Sequence, residues 1–321
     1  MSYLLIVVLL FVLELVYFKI ADRFNIIDKP NHRSSHTAIT LRGGGVIFPL
    51  AMLIACVLGH ASVAMTVAVV LVGLISFIDD IKPLHQLPRI GSHLIAVTLV
   101  LYDLDMLHTN LLFLIPIVFI LAIGWINAFN FMDGINGITV LYALVAIASF
   151  GWVFKDTTSL EVLIIMGLAC LVFAFFNVRK KAKTFAGDVG SVSMALFLAY
   201  FMVSIIFKTQ QPAYILFFSV YGIDAVITIL YRLKNKENIF QPHRSHLYQY
   251  LANELKWSHI SVSAIYAFIQ LLVNAVVIYL ISEDKMSVII ALAMLVLMSA
   301  IYFIIRKSVK AKIEATAHQV P

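Results

Sequence analysis

Apolar residues run along this chain in blocks, each closed by a short polar stretch. Blocks of about 16 to 23 residues approach or meet the roughly 20 that a helix needs to cross a bilayer. They predict eleven spans, at about 3–19, 45–60, 62–78, 92–107, 111–128, 137–154, 160–177, 190–207, 212–230, 259–281 and 286–305. The fourth is the weakest, because Asp103 and Asp105 interrupt it. Of the 23 Lys and Arg residues, all but Lys155, Lys208 and Lys285 fall at helix-end Lys19 or in alternate connections, 20–44, 79–91, 129–136, 178–189, 231–258 and 306–321. That bias marks cytoplasmic loops. The expectation is an all-α polytopic membrane protein with a periplasmic N-terminus and a cytoplasmic C-terminus. Residues 1–321 form one integral membrane domain whose working residues sit on the cytoplasmic loops.

Composition agrees. The chain is 62% hydrophobic and 12% charged, with a mean hydropathy of +0.99, whereas a soluble domain carries about 25% charge. The net charge of +6 follows from topology and implies no nucleic-acid partner. Cys56 and Cys170 lie inside apolar runs and read as small core residues. The first apolar run lacks a basic segment ahead of it and a small-residue cleavage site, so it is expected to stay as a helix.

Within so apolar a chain, polar residues mark function by default. The stretch Trp125–Gly137 reads W-I-N-A-F-N-F-M-D-G-I-N-G, with Asn127, Asn130, Asp133 and Asn136 at steps of three. The bland alternative is a polar helix end with a glycine exit. The third span ends F-I-D-D-I-K-P-L. Asp79 and Asp80 therefore sit at a helix C-terminus, where each carboxylate loses about 0.3–1 kcal/mol. Adjacent carboxylates also repel unless a cation or proton lies between them, which suggests metal or proton handling. Arg89 opens the next helix and is placed to face phosphate. The loop K-T-F-A-G-D-V-G-S sets Asp188 either as a plain N-cap or beside a phosphate at a helix N-terminus, with Phe185 able to stack on a base. Arg179, Lys180, Lys181 and Lys183 are equally well topological anchors. The last long loop carries P-H-R-S-H-L, where Arg244 and His246 read as phosphate or sugar contacts rather than zinc ligands. Asp224 reads as a buried structural acid, and Glu14 is unexplained. The first loop, with Asp28, Asn31, Arg33 and His36 before Gly43–Gly45, reads either as a structured lid or as an ordinary polar loop. Oxygen ligands of this kind suit Mg²⁺ or Mn²⁺ shared with substrate phosphates. The chemistry implied is phosphoryl transfer at a membrane surface.

Five segments in order, D-K-P-N-H-R-S-S-H with R-G-G-G, F-I-D-D-I-K-P-L, N-A-F-N-F-M-D-G-I-N-G, F-A-G-D-V-G-S and P-H-R-S-H-L, resemble the polyprenyl-phosphate N-acetylhexosamine-1-phosphate transferases, glycosyltransferase family 4. The resemblance implies a bacterial inner-membrane enzyme in which undecaprenyl phosphate attacks the β-phosphate of a UDP-HexNAc. UMP leaves, and the lipid-diphospho-sugar starts an O-antigen or capsule type polysaccharide. By position, Asp188 and Asn130 resemble the magnesium ligands, Asn136 the uracil reader and Phe185 its stacking partner. Asn127 and Asp133 fall within the same nucleotide-binding stretch. Asp79 and Asp80 resemble the pair that deprotonates or orients the lipid phosphate. Arg89, Arg244 and His246 fall at phosphate- or sugar-binding positions, His246 and Asp188 among the catalytic ones. The resemblance admits a homodimer. Asn136 replaces the Asp of many members, and His246-Leu247-Tyr248-Gln249 replaces a histidine-rich run. This leaves GlcNAc and deoxy-HexNAc sugars such as FucNAc or QuiNAc as donors and disfavours a muramyl-pentapeptide. The competing class, a transporter of an anionic solute, would show related halves and midplane charges; neither is evident. The D-x-x-D-G…G…D-x-x-x-D spacing of CDP-alcohol phosphotransferases is absent.

Overall fold

A computed structural model describes residues 2–30, 35, 38–108, 112–238, 241 and 243–317. Asn31, Arg33 and His36 of the first loop lie outside the described residues. Among the described residues, eleven helices of 11 residues or more fall on the eleven apolar runs. They are α1 (Tyr3–Arg23), α2 (Ile47–Val57), α3 (Val63–Ile81), α4 (Gln86–Asp103), α5 (Ile115–Met132), α6 (Ile138–Val153), α7 (Ser159–Asn177), α8 (Gly187–Thr209) and α9 (Ser219–Lys234). A three-residue helix α10 (Leu247–Gln249) precedes α11 (His259–Ser282) and α12 (Val288–Ala317). Among the described residues, β structure is confined to a two-residue hairpin, β1 (Ile27–Asp28) against β2 (Thr40–Leu41), and an isolated bridge from Leu41 to Thr184.

The protein is thus an all-α, multi-pass membrane protein. Among the described residues, eight helical segments are long and apolar enough to cross a bilayer; α2 with its leading turn and α6 are apolar but shorter. The caps are local: Ser2, Ser62 and Ser258 accept from the backbone N–H groups of Leu5, Met65 and Ser261, which satisfies donors the first turn leaves free. Two boundaries differ from expectation. α4 begins at Gln86 and ends at Asp103, whose carboxylate accepts from Tyr200 Oη of α8 at 2.7 Å. The acid therefore closes the helix instead of breaking it. α12 runs on past residue 305 because Arg306, buried on this helix, donates to Thr228 (3.1 Å) and Tyr302 (3.0 Å).

α8 is the hub: 83% of its apolar stretch is buried, against 6% for α12. In lipid, helices gain little from hydrophobicity and associate through close packing and polar contacts. Both are present. A Cβ on Gly45 would collide with the Gly190 backbone, so these two glycines let the start of α2 rest directly on α8. Inside the bundle, Gln270 of α11 accepts from Tyr142 Oη (2.7 Å) and the Val220 amide (2.9 Å), and donates to Asn274 (2.6 Å). Asn274 donates in turn to Ser149 at 2.8 Å. Cys170 is buried, and both cysteines are free thiols. Glu14 is buried with neither carboxylate oxygen hydrogen-bonded, and the structure gives it no account.

Candidate active site at the helix ends

The C-terminal ends of α3 and α5, the N-terminal ends of α4, α8 and α11, and the first loop converge at one end of the bundle. Gly187 opens α8 with φ +69°, a conformation favouring glycine, and a Cβ there would strike the Asp80 carboxylate. Asp80 uses both oxygens on α8: it accepts from the Asp188 and Val189 amides at 3.0 Å each. The cap of α8 is thus a carboxylate from another helix, and Asp188 is not a plain N-cap. Its own N-cap residue, Ala186, makes no side-chain cap. Arg42 Nε lies 2.8 Å from Asp80, whose side chain is fully buried. Asp80 thus has both oxygens engaged and anchors the start of α8. Asp79 is engaged too, accepting from the Leu84 amide at 2.6 Å and pairing with Arg89 at 3.2 Å.

Asp188 is different. Its side chain is 21% exposed and stands between two arginines, Arg42 at 3.7 Å and Arg89 at 3.5 Å, each about one-third exposed. Those distances are loose for ion pairs, and they leave the carboxylate and both guanidinium groups reachable by a ligand. Arg42 is held in place by its backbone: β2 pairs with β1, the Arg42 amide donates to Ile26, its carbonyl accepts from Tyr17, and Leu41 bridges to Thr184.

The polar ladder of α5 divides. Asn127 donates to its own helix at Ile123 O (2.9 Å) and is not among the residues that line the cavity with Asp188. Asn130 accepts from Ser191 at 2.6 Å and lines the same cavity as Asp188. Asp133 caps α5 and accepts from the Thr139 hydroxyl. Asn136 spends its amide N–H on Arg179 O (2.8 Å), leaving its Oδ1 as acceptor. Gly137, with φ +87°, turns the chain into α6 while its amide donates to Asn177 Oδ1 at 2.7 Å.

Asp133, Asn136, Phe185 and Asp188 line a cavity of about 280 Å³ with Asn130 and Arg42. Gln249 and His259 line it as well. Burial pushes the Asp133 carboxyl up to about 6, helped by Asp188 and opposed by the Thr139 hydroxyl and Arg42. Among the described residues no three His, Cys, Asp or Glu side chains form a self-sufficient metal cluster. Asp188, Asn130 and Asp133 do bring hard oxygen donors to one cavity. Such a partial set fits a magnesium-like ion that takes its remaining ligands from phosphate and water.

The P-H-R-S-H-L loop lies apart from the cavity, with Pro242 outside the described residues. His246 is buried with Nδ1 3.2 Å from Asp224, and Arg244 is half-buried; neither lines the cavity. Among the described residues, Gln249 just beyond this loop lines the cavity, and Tyr248 packs against the cavity residue Gly134. Sequence reasoning missed Arg42, Asn177, Gln249 and His259. For Arg42 a signal existed in the glycines that follow it, which force the first loop onto α8.

Residues 62–206 match the family model for Glycosyl transferase family 4. A phospho-N-acetylmuramoyl-pentapeptide-transferase of Streptococcus thermophilus (strain CNRZ 1066) is 30% identical over 198 residues, 51% of this chain and 58% of that protein. A "Probable undecaprenyl-phosphate N-acetylglucosaminyl 1-phosphate transferase" of Bacillus subtilis (strain 168) is 24% identical over 262 residues, 73% of this chain and 71% of that one. A phospho-N-acetylmuramoyl-pentapeptide-transferase of Streptococcus equi subsp. zooepidemicus (strain MGCS10565) is 34% identical over 95 residues, 29% of this chain and 28% of that protein. The match thus spans little more than half the length of the Streptococcus thermophilus relative.

Proposed function

Proceeding from a chain that carries a Glycosyl transferase family 4 domain, we propose that it transfers a HexNAc-1-phosphate from a UDP-sugar to undecaprenyl phosphate. The observation that carries this reading is Asp188, set between Arg42 and Arg89 at the edge of an oxygen-rich cavity. Arg42 lines the cavity and takes the nucleotide diphosphate. Arg89, on the other side of Asp188, takes the acceptor phosphate. Phe185 stacks on the base, and Asn136 Oδ1 accepts from it. An oxygen of the lipid phosphate attacks the β-phosphorus; the bond to the bridging oxygen breaks, and UMP leaves with that oxygen. Positioning and charge neutralisation dominate phosphoryl transfer. Asp188 and Asn130, with Asp133 near them, would hold Mg²⁺ (or Mn²⁺), which when bound neutralises charge on the diphosphate. Asp80 contributes by fixing the α8 N-terminus, and with it Asp188, beside the cavity.

The distribution of Lys and Arg supports a cytoplasmic site in a bacterial inner membrane, and the product is of the kind that initiates an O-antigen or capsule polysaccharide. A second donor has its own support: the 30% identity to a phospho-N-acetylmuramoyl-pentapeptide-transferase favours UDP-MurNAc-pentapeptide. The deciding experiment offers purified protein, undecaprenyl phosphate and magnesium a panel of UDP-GlcNAc, UDP-deoxy-HexNAc sugars and UDP-MurNAc-pentapeptide, and follows UMP release and the lipid-linked product. No release from any donor, with a labelled anionic solute crossing vesicles instead, would replace this reading with a transporter.

A further inference from the structure

The His-Arg loop and the cavity are joined through one buried acid that the chemistry above does not use. Asp224 of α9 is fully buried. Its carboxylate accepts from Tyr266 Oη of α11 at 2.6 Å and Tyr302 Oη of α12 at 2.8 Å. It also meets His246 Nδ1 and the Leu247 amide at 3.2 Å each, and Thr228 Oγ1 at 3.3 Å. Facing a carboxylate, Nδ1 carries its proton as donor, and His246 Nε2 is buried with no hydrogen-bond partner. His246 thus serves here as a link to Asp224.

From that acid the chain of contacts runs outward without a gap. Asp224 holds His246 and the first amide of α10. The Gln249 side-chain oxygen accepts from the His246 amide at 3.1 Å, closing the turn, and Gln249 lines the cavity. Tyr248, fully buried between them, donates to Phe131 O at 3.0 Å, and its hydroxyl occupies the space where Gly134 would carry a Cβ. Gly134 is itself a cavity residue, next to Asp133 and two before Asn136.

We infer that Asp224 is a positioning residue: through the His246–Gln249 turn it seats Tyr248 under Gly134 and presents Gln249 to the nucleotide-sugar. The second half of that statement rests on the proposed function; the first does not. An acid at this junction also explains why α9, α11 and α12 converge on one carboxylate, since a buried charge is tolerated only when hydrogen-bonded on all sides.

The test uses the full-length protein in detergent and Asp224→Asn, which keeps the shape, removes one acceptor oxygen and places an NH₂ among five donors. Amide hydrogen exchange without ligand should accelerate at least tenfold at residues 134–137 and 246–249. In the transfer assay, kcat/KM should fall at least tenfold, mainly through a higher KM for the UDP-sugar. Combined with Gln249→Ala, the loss should be smaller than the product of the two single losses, as expected of residues acting through one turn. Should Asp224→Asn fail to fold, Tyr302→Phe removes a single donor and should move the same readouts by about threefold. Faster exchange confined to α9, α11 and α12, or losses that simply multiply, would overturn the inference. If the wild type releases no UMP from any donor, the proposed function fails, and the exchange measurement still decides the role of Asp224.

Discussion

Asp80→Asn is the sharpest perturbation of the site, because two roles for this residue predict different results. As an anchor, Asp80 accepts two α8 amides at 3.0 Å and pairs with Arg42 at 2.8 Å from a fully buried position. An asparagine keeps one acceptor oxygen. One hydrogen bond to a charged acceptor is lost, worth about 1.5–3 kcal/mol. The new NH₂ faces either an amide N–H or the guanidinium and leaves a buried donor unsatisfied, at about 1–3 kcal/mol. Arg42 is 35% exposed, so its screened pair adds no more than about 1 kcal/mol. The sum is a loss of about 2.5–7 kcal/mol, concentrated at the α8 N-terminus, and the roughly 3–5 kcal/mol typical of breaking a buried pair lies inside that range. Unfolding in mixed SDS micelles, followed by tryptophan fluorescence, measures it, and calorimetry with UMP and magnesium should show weakened nucleotide binding. Asp79→Asn, whose carboxylate is engaged by Arg89 and Leu84 away from α8, should cost less stability and leave nucleotide affinity nearly intact. Asp80→Asn with wild-type stability and nucleotide affinity but no turnover would refute the anchoring argument and return Asp80 to the acid–base chemistry.

Gly45→Ala should destabilise by about 3 kcal/mol or more through backbone collision with Gly190, a clash that overpacking costs make severe; loss of folded protein on size-exclusion chromatography reports it, and a normal yield would show that α2 can move away. Asn127→Ala should leave kcat/KM within about twofold, because its amide serves only its own helix, whereas Asn130→Ala should abolish most activity; equal losses in the two would show that Asn127 reaches the substrate. The His243 imidazole is held down to about 4 by burial, with the charges of His246 and Arg232 adding to the effect. Its unfolded form protonates near 6.5, so the unfolded state binds more protons between about pH 4 and 6.5, and stability falls as pH drops through that window. His243→Gln should flatten this part of the stability profile; an unchanged profile would rule out His243 as its source.

Membrane class and the placing of the long apolar helices were legible in the sequence because bilayer thickness acts on local composition. The glycines were legible as signals too, since Gly45, Gly187 and Gly190 stand where no side chain fits. Residue types alone also singled out Asp188, Asn130, Asp133, Asn136 and Phe185, which the fold brings to one cavity. What composition and spacing could not decide is which oxygen atoms remain free. Asp79 and Asp80 look alike in sequence, yet both are consumed by backbone amides and arginines that only the packing of α3, α4 and α8 supplies. Asn127 and Asn130, three residues apart on one helix, part company because one turns to its own backbone and the other to α8. Arg42, an ordinary loop residue by type, becomes a cavity residue through a hairpin paired across twelve positions. His246, expected at the substrate, is turned inward by Asp224, an acid 22 residues earlier. Local patterns reveal which groups are too costly to be in lipid without purpose; their partners lie on other helices, so only tertiary structure settles what each group does.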